Sequence, residues 1–392
     1  PSGLPEPPFD SAYGAPAQPL QVLLRFAVQG KRASIGWRSE AFGEERTTAF
    51  KMPYAAATLP AVIKALDSIQ LPSHQEIRAG EPSAGEQAAL MPLGLWADGR
   101  VPPDAYRIVG RALYKGLGRE GAATLEAARN YAIERGLGVN YALRFPRTAQ
   151  DLTALPWELL SNNDGLILFK GGRDLDSCER YFDSDRPIPP PITGVGKPHL
   201  LALLPTANLD ASTIEGERAA RRATWDKLRD AGRITYHELS PLTPEALVNY
   251  MNSVSRPPDI VHFFGHATDE DGGALLFDDE NNGSVKVSPT RLAMLFGGVR
   301  LLVVMGDRSP GLASALSEVT DASIMTQLAT TIQMATDFTR IFYNELLAKC
   351  RSLQESVAEA RQLMFFKNEH VDWYVPVLYI RSREPRPVYL VQ

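Results

Sequence analysis

The sequence predicts an α/β protein with a mostly parallel sheet flanked by helices, preceded by a smaller α/β lobe. Three observations lead there. The second half alternates short apolar runs with helical periods, the rhythm of a parallel sheet covered on both faces. Two runs, Asp259-Ile260-Val261-His262-Phe263-Phe264-Gly265-His266-Ala267 and Arg300-Leu301-Leu302-Val303-Val304-Met305-Gly306-Asp307-Arg308-Ser309, stop abruptly at small and polar residues. Central parallel strands do this where their C-terminal ends open into a site. A proline-rich stretch, Arg186-Pro187-Ile188-Pro189-Pro190-Pro191-Ile192-Thr193-Gly194, divides the chain, since proline fixes φ and offers no N–H to a sheet.

At 392 residues two domains are expected. The reading is a flexible tail over 1–18, an N-terminal α/β lobe over 19–185, a linker over 186–197 and a second α/β domain over 198–392. In the first lobe, 20–28 and 33–37 read as strands around a turn at Gly30-Lys31. Residues 106–117 place Val109, Ala112, Leu113 and Leu117 on one helical face. A second helix over 122–134 stops at Gly136, a suitable C′ glycine. Residues 139–145 alternate as a strand, and 166–169 read as another. In the second domain, strands are expected over 200–204, 234–239, 260–264, 301–305 and 322–327. The first, third and fourth should be central and mutually parallel. Helices are expected near 215–231, 244–253, 289–296, 312–318, 331–348 and 353–364.

Composition narrows the function classes. Hydrophobic content of 44% and charged content of 22% suit an ordinary globular protein, and a net charge of −5 argues against a nucleic-acid scaffold. No apolar run reaches the ~20 residues of a membrane helix. The N-terminus has neither basic nor apolar signal-peptide regions, and its lack of Met is expected of a fragment or processed product. Two cysteines, Cys178 and Cys350, suit a reducing cytoplasm without structural disulfides and, with six scattered His, argue against a zinc site. No cofactor is expected, and the sequence sets no oligomeric state.

The ordered pieces Leu155-Pro156-Trp157-Glu158-Leu159-Leu160, Gly216-Glu217-Arg218-Ala219, His262-Phe263-Phe264-Gly265-His266, Leu301-Leu302-Val303-Val304-Met305 and Asp372-Trp373-Tyr374-Val375-Pro376-Val377-Leu378-Tyr379 resemble a CHAT domain, a branch of the caspase-like peptidase clan. Gly110-Arg111-Ala112-Leu113-Tyr114 resembles the lobe that often precedes a CHAT core, so the resemblance covers residues 19–382. It implies a caspase-like fold with His266 as general base and Gly265 N–H as an oxyanion donor. It also implies a nucleophilic Cys at position 307. Two departures stand out. The base motif continues Gly265-His266-Ala267 where the family usually has a second Gly. The nucleophile strand ends Gly306-Asp307-Arg308-Ser309 where the family usually has Ala-Cys, a polar residue and Ser. Laboratory inactivation usually introduces Ala or Ser, so Asp307 reads as a natural loss.

Asp307 cannot supply thiolate chemistry. One Asp beside one His forms an ion pair that favours protonated His266, the wrong state for a general base. The reading is a catalytically inactive pseudopeptidase that binds or regulates a protein partner such as a peptidase, sensor or scaffold component. The resemblance implies a bacterial signalling or defence setting in the cytoplasm. The alternative is an active peptidase using His266 with a relocated nucleophile such as Ser309, which must be re-aimed because it lies two residues on. A third reading is a small-ligand module using the empty cleft. Nucleic acid and membrane are not expected as partners.

Other candidates read as structural. Cys178 and Cys350 suit ordinary thiols. His262 and His266 share a strand face but lie ~13 Å apart by rise, too far for one metal. The loop Asp278-Asp279-Glu280-Asn281-Asn282-Gly283 half-matches an EF-hand, but Pro289 replaces the bidentate Glu, so a solvated loop is preferred. Asp269-Glu270-Asp271 reads as a solvated turn, with an acidic rim as its functional counterpart. Trp157 beside Pro156 suits a packing anchor between lobes, and Glu158 suits pairing with a buried Arg.

Overall fold

The structure, a computed structural model, describes residues 18–30, 32–70, 81–169, 176–183, 196–206, 211–268, 273–281, 283–306, 310–317, 319–367, 372–382, 385 and 387–391. The expected tail and most of the proline-rich linker lie outside them, as do Asp307, Ser309 and Asp269-Glu270-Asp271.

Strands β1 (Leu20–Gln29), β2 (Arg32–Arg38) and β3 (Arg46–Phe50) form an antiparallel meander. Helices α1 (Leu59–Gln70), α2 (Ala84–Leu90), α3 (Ala105–Gly116) and α4 (Gly118–Arg135) follow. α4 stops at Gly136 as expected, with φ 67° and Leu137 N–H on Ala132 O at 2.9 Å. Then come β4 (Val139–Phe145), the short α5 (Gln150–Thr153), the two-residue strands β5 (Ser161–Asn162) and β6 (Gly165–Leu166), and β7 (Ser177–Phe182). The strand expected over 166–169 is a correction: Ile167–Phe169 is a 3₁₀ turn. A four-residue apolar run satisfies a buried turn as well as a strand, and here Ile167 N–H bonds back to Leu160 O at 2.8 Å.

The second half supplies β8 (His199–Leu203), α6 (Ala211–Asp230), β9 (Thr235–Leu239), α7 (Pro244–Ser253) and β10 (Ile260–Gly265). A small antiparallel sheet follows, of β11 (Ala267–Thr268), β12 (Ala274–Asp278) and β13 (Ser284–Val287). After it come α8 (Pro289–Leu295), β14 (Leu301–Gly306), α9 (Pro310–Leu316), β15 (Ala322–Thr326), α10 (Ile332–Tyr343), α11 (Leu353–Lys367) and β16 (Pro376–Ile380). The single helix expected over 331–348 ends at Tyr343 and gives way to a π-helical turn, Asn344–Ala348.

One 11-stranded sheet runs through the molecule in the order β3-β2-β1-β4-β7-β16-β15-β14-β10-β8-β9. Among the described residues only the β1–β2, β2–β3 and β15–β16 pairings in it are antiparallel. The fold is therefore mixed α/β with a large, mostly parallel sheet flanked by helices. As predicted, β8, β10 and β14 are parallel neighbours inside it. β7 lies between β4 and β16 and runs parallel to both, so one sheet spans both halves.

Burial explains why these strands are apolar along their whole length. Ile260, Phe264, Leu301, Val303 and Met305 face one core layer, which includes Trp225 of α6 and Phe338 of α10. Val261, Phe263, Leu302 and Val304 face the other, with Leu247 of α7, Leu292 of α8 and Leu312 of α9. Period-two alternation sends successive side chains to opposite faces, and both faces are covered.

Candidate functional site

The site is built at the C-terminal ends of β10 and β14. The two strands pair in parallel from Ile260↔Leu301 to Gly265↔Gly306, so both chains leave the sheet at the same level. Glycine is required at both last positions. A Cβ on Gly306 would lie 2.0 Å from Gly265 O, and one on Gly265 would lie 2.5 Å from Pro205 Cγ. The chain then enters His266 after β10, while Asp307, next in sequence after β14, lies outside the described residues. Thr326, ending β15, donates its hydroxyl to Gly306 O at 3.1 Å and ties the third neighbouring strand end to this pair.

His266 is half-buried, and its carbonyl accepts Leu276 N–H at 3.0 Å. That bond fixes the β11–β12–β13 sheet directly after β10. Asp278, at the end of β12, is buried rather than solvated, a correction to the loop reading. It accepts Thr206 N–H at 2.7 Å and Leu242 N–H at 2.6 Å, tying the segments after β8 and β9 to this small sheet. Asp279 instead closes an Asx turn, accepting from Asn281 N–H at 2.8 Å and Gly283 N–H at 2.6 Å. Among the described residues no cluster of His, Cys, Asp or Glu could hold a metal ion.

His262 is fully buried, with its ring Nδ1 2.9 Å from Tyr343 Oη and Trp225 edge-on at 5.4 Å. Burial, with Arg221 nearby, holds it well below the usual imidazole range, so it is neutral and structural. Cys178 is buried in β7, and burial pushes its thiol up, so it carries no thiolate for catalysis. Cys350 is partly exposed and sits at φ 55° just beyond the π-helical turn.

The motif around Trp157 divides into two roles. Its ring packs on Phe26 at 4.7 Å, Phe50 at 5.2 Å and Phe145 at 6.3 Å, all in the first half, so it is not the anchor between halves. Glu158 is that anchor. It pairs with buried Arg180 through Nη2–Oε2 at 2.5 Å and Nε–Oε1 at 3.2 Å, and with Arg361 of α11 at 3.7 Å. Gln327, just past β15, donates to Glu158 Oε2 at 3.2 Å and accepts from Arg180 Nη2 at 3.0 Å. The site's strand ends and the first half are thus joined through one buried polar knot.

Sequence reasoning placed Gly265 and His266 at a strand end and missed what frames them. Gly306, Thr326 and Asp278 are ordinary residue types, and their roles depend on register across strands distant in sequence.

No family model matches the chain, and no curated protein matches it. Among solved structures it is similar to separase of Saccharomyces cerevisiae in its complex with securin, at 10% identity and a TM-score of 0.49. The likeness covers 95% of this chain but 30% of the separase chain. No helix among the described residues is long and apolar enough to cross a membrane.

Proposed function

We propose that the chain is a caspase-like pseudopeptidase of CHAT type, a second domain over 198–392 with a smaller lobe before it, which binds or regulates a protein partner. The observation that carries this reading is Asp307. It is the first residue after Gly306, whose partner in register, Gly265, leads directly into His266. A peptidase with His266 as base needs a thiol or hydroxyl at that neighbouring strand end. A carboxylate there offers no acyl-transfer nucleophile comparable to a thiolate, and its charge favours the protonated imidazole. Neither cysteine supplies a substitute: Cys178 is interior and its thiol is pushed up, and Cys350 follows the turn after α10. A cytoplasmic setting in bacterial signalling or defence fits the two unpaired cysteines and the CHAT resemblance.

The experiment is restoration. In a Cys350→Ser background, Asp307→Cys should gain rapid reaction with a cysteine-directed electrophile, and His266→Ala should abolish the gain. The unmodified chain should hydrolyse no peptide, and Ser309→Ala should change nothing. Peptide hydrolysis by the unmodified chain, lost in His266→Ala, overturns the reading and moves the nucleophile to Ser309 or another residue.

A further inference from the structure

A second concave site lies where α3 and the β5–β6 turn of the first half meet α11 of the second. It is a cavity of about 350 Å³, at the small end of ligand pockets. Its geometry begins with Gly110. A Cβ there would lie 2.0 Å from Leu159 O and 2.5 Å from Ser161 Oγ, so only glycine lets α3 seat directly on the 159–161 segment. Arg107 and Arg111, one helical turn apart on either side of Gly110, then line the cavity beside Ser161.

The polar wall has unused donors. Arg111 is exposed and makes no hydrogen bond or ion pair among the described residues. Arg107 donates from Nε to its neighbour Tyr106 at 3.1 Å, leaving its two terminal nitrogens without a described acceptor. Ser161 is 3% exposed, and its hydroxyl has no hydrogen-bond partner. A buried hydroxyl left unpaired weakens a fold unless something supplies its missing bond. Asp164 is the one acidic side chain lining the cavity, so two guanidinium groups leave an excess of positive charge. The lining is also aromatic: Phe169 and Phe365, both half-buried, stack at 4.8 Å with planes 26° apart.

We propose that this pocket binds a phosphate ester carrying a planar ring, of the nucleoside monophosphate class. Two guanidinium groups and a hydroxyl match the three oxygens of a phosphate better than the two of a carboxylate. The paired rings offer a stacking surface that every base can use. The volume admits one such molecule.

Titration calorimetry of the full chain at low salt with each of the four common nucleoside 5′-monophosphates tests this. At least one should bind with Kd below ~1 mM. Its parent nucleoside and inorganic phosphate should each bind at least ~10-fold more weakly, because each lacks one half of the recognition. Arg111→Gln should weaken binding ~10-fold, and Arg107→Gln with Arg111→Gln ~10²-fold. Phe365→Leu should weaken the monophosphate and leave inorganic phosphate unchanged. Arg119→Gln, on the exposed start of α4, should change nothing. Absence of saturable binding by all four overturns the proposal. So does binding that survives the double arginine change, or inorganic phosphate binding as tightly as the ester.

Discussion

Glu158→Gln should destabilise the fold by ~3–5 kcal/mol, the cost of removing one partner from a buried ion pair. The magnitude follows from what is left behind. Glu158 and Arg180 are fully buried, and Arg361 is almost so. Burial is the largest single influence on Arg180 and acts to lower its pKa, but the charge and hydrogen bond of Glu158, with Tyr379 beside it, together outweigh burial and the guanidinium ends up raised. Arg361 ends up lowered, because burial dominates and its contact with Glu158 is longer. The carboxylate therefore serves chiefly Arg180, and its removal leaves two interior cations without a counter-charge. The remaining acceptors of Arg180, Thr153 O at 2.6 Å, Leu155 O at 3.2 Å and Gln327 Oε1 at 3.0 Å, are all neutral. Gln327→Ala removes hydrogen bonds to the Glu158 carboxylate and the Arg180 guanidinium but leaves their ion pair in place, so it should cost less than Glu158→Gln, ~1.5–3 kcal/mol. Urea unfolding at 25 °C measures both. A Glu158→Gln loss below ~1 kcal/mol, or one equal to that of Gln327→Ala, would refute the assignment of this knot as charge-dependent.

Gly306→Ala should destabilise by ~1–3 kcal/mol, because its Cβ would lie 2.0 Å from Gly265 O and must push β10 and β14 apart; wild-type thermal unfolding in this variant would count against the close pairing. Glu179, buried and hydrogen-bonded by Asn140 at 2.8 Å and by Tyr181, is pushed up to about 7 by burial from an ordinary value of 4.5. The folded state then holds the extra proton between these values. Its stabilising contribution is full below pH 4.5 and is lost as pH rises to 7, amounting to roughly 3 kcal/mol. Glu179→Gln should flatten that part of the stability–pH curve, and an unchanged slope would refute it. In the native state a thiol reagent should modify Cys350 and spare Cys178, with Cys178 reacting only on unfolding; equal rates would contradict its burial.

Much of the architecture was legible in the chain because burial on both faces writes itself as continuous apolar runs. The 260–264 and 301–305 segments are such runs, and the structure places them as parallel neighbours. The Pro244 and Thr331 helix starts were equally plain: Thr243 and Thr331 accept from Ala246 and Met334 N–H at 3.0 and 3.1 Å. Between residues 39 and 104 the elements β3, α1 and α2 went unassigned. α2 had a local signal in its capping box, Ser83 with Glu86. β3 had little, since Arg46–Phe50 buries only Thr48 and Phe50, too short an alternation to stand out, and is held as a strand by β2 beside it. The Arg107–Arg111 pocket was hidden for a different reason. Its floor depends on contact between Gly110 and Leu159, 49 residues apart, and no periodicity reports such a contact.

Among the described residues, the frame at the strand ends is built by groups other than position 307. Its closeness comes from Gly265 and Gly306, its level from the β10–β14 register, and its attachment to β15 from the Thr326 hydroxyl. Asp278 secures the segments after β8 and β9 by two backbone hydrogen bonds made by a buried carboxylate, and such charge-assisted bonds are among the stronger ones in a protein. None of these interactions involves residue 307. On the proposed reading, a carboxylate in place of a thiol there removes the chemistry and leaves these described interactions in place. A peptidase scaffold could therefore lose its nucleophile and keep a shaped surface at the carboxyl ends of its strands, where open α/β sheets usually bind ligands. The consequence is measurable. Asp278→Asn keeps the size but has one oxygen for two donors, so it loses one of the bonds to Thr206 and Leu242 N–H and turns its amide nitrogen toward that donor. It should reduce the electrophile reactivity gained by Asp307→Cys at least ~10-fold, since a small misplacement of reacting groups costs rate steeply. Undiminished reactivity in the combined variant would show that the rim can loosen without disturbing His266, and that the frame described here does not position the base.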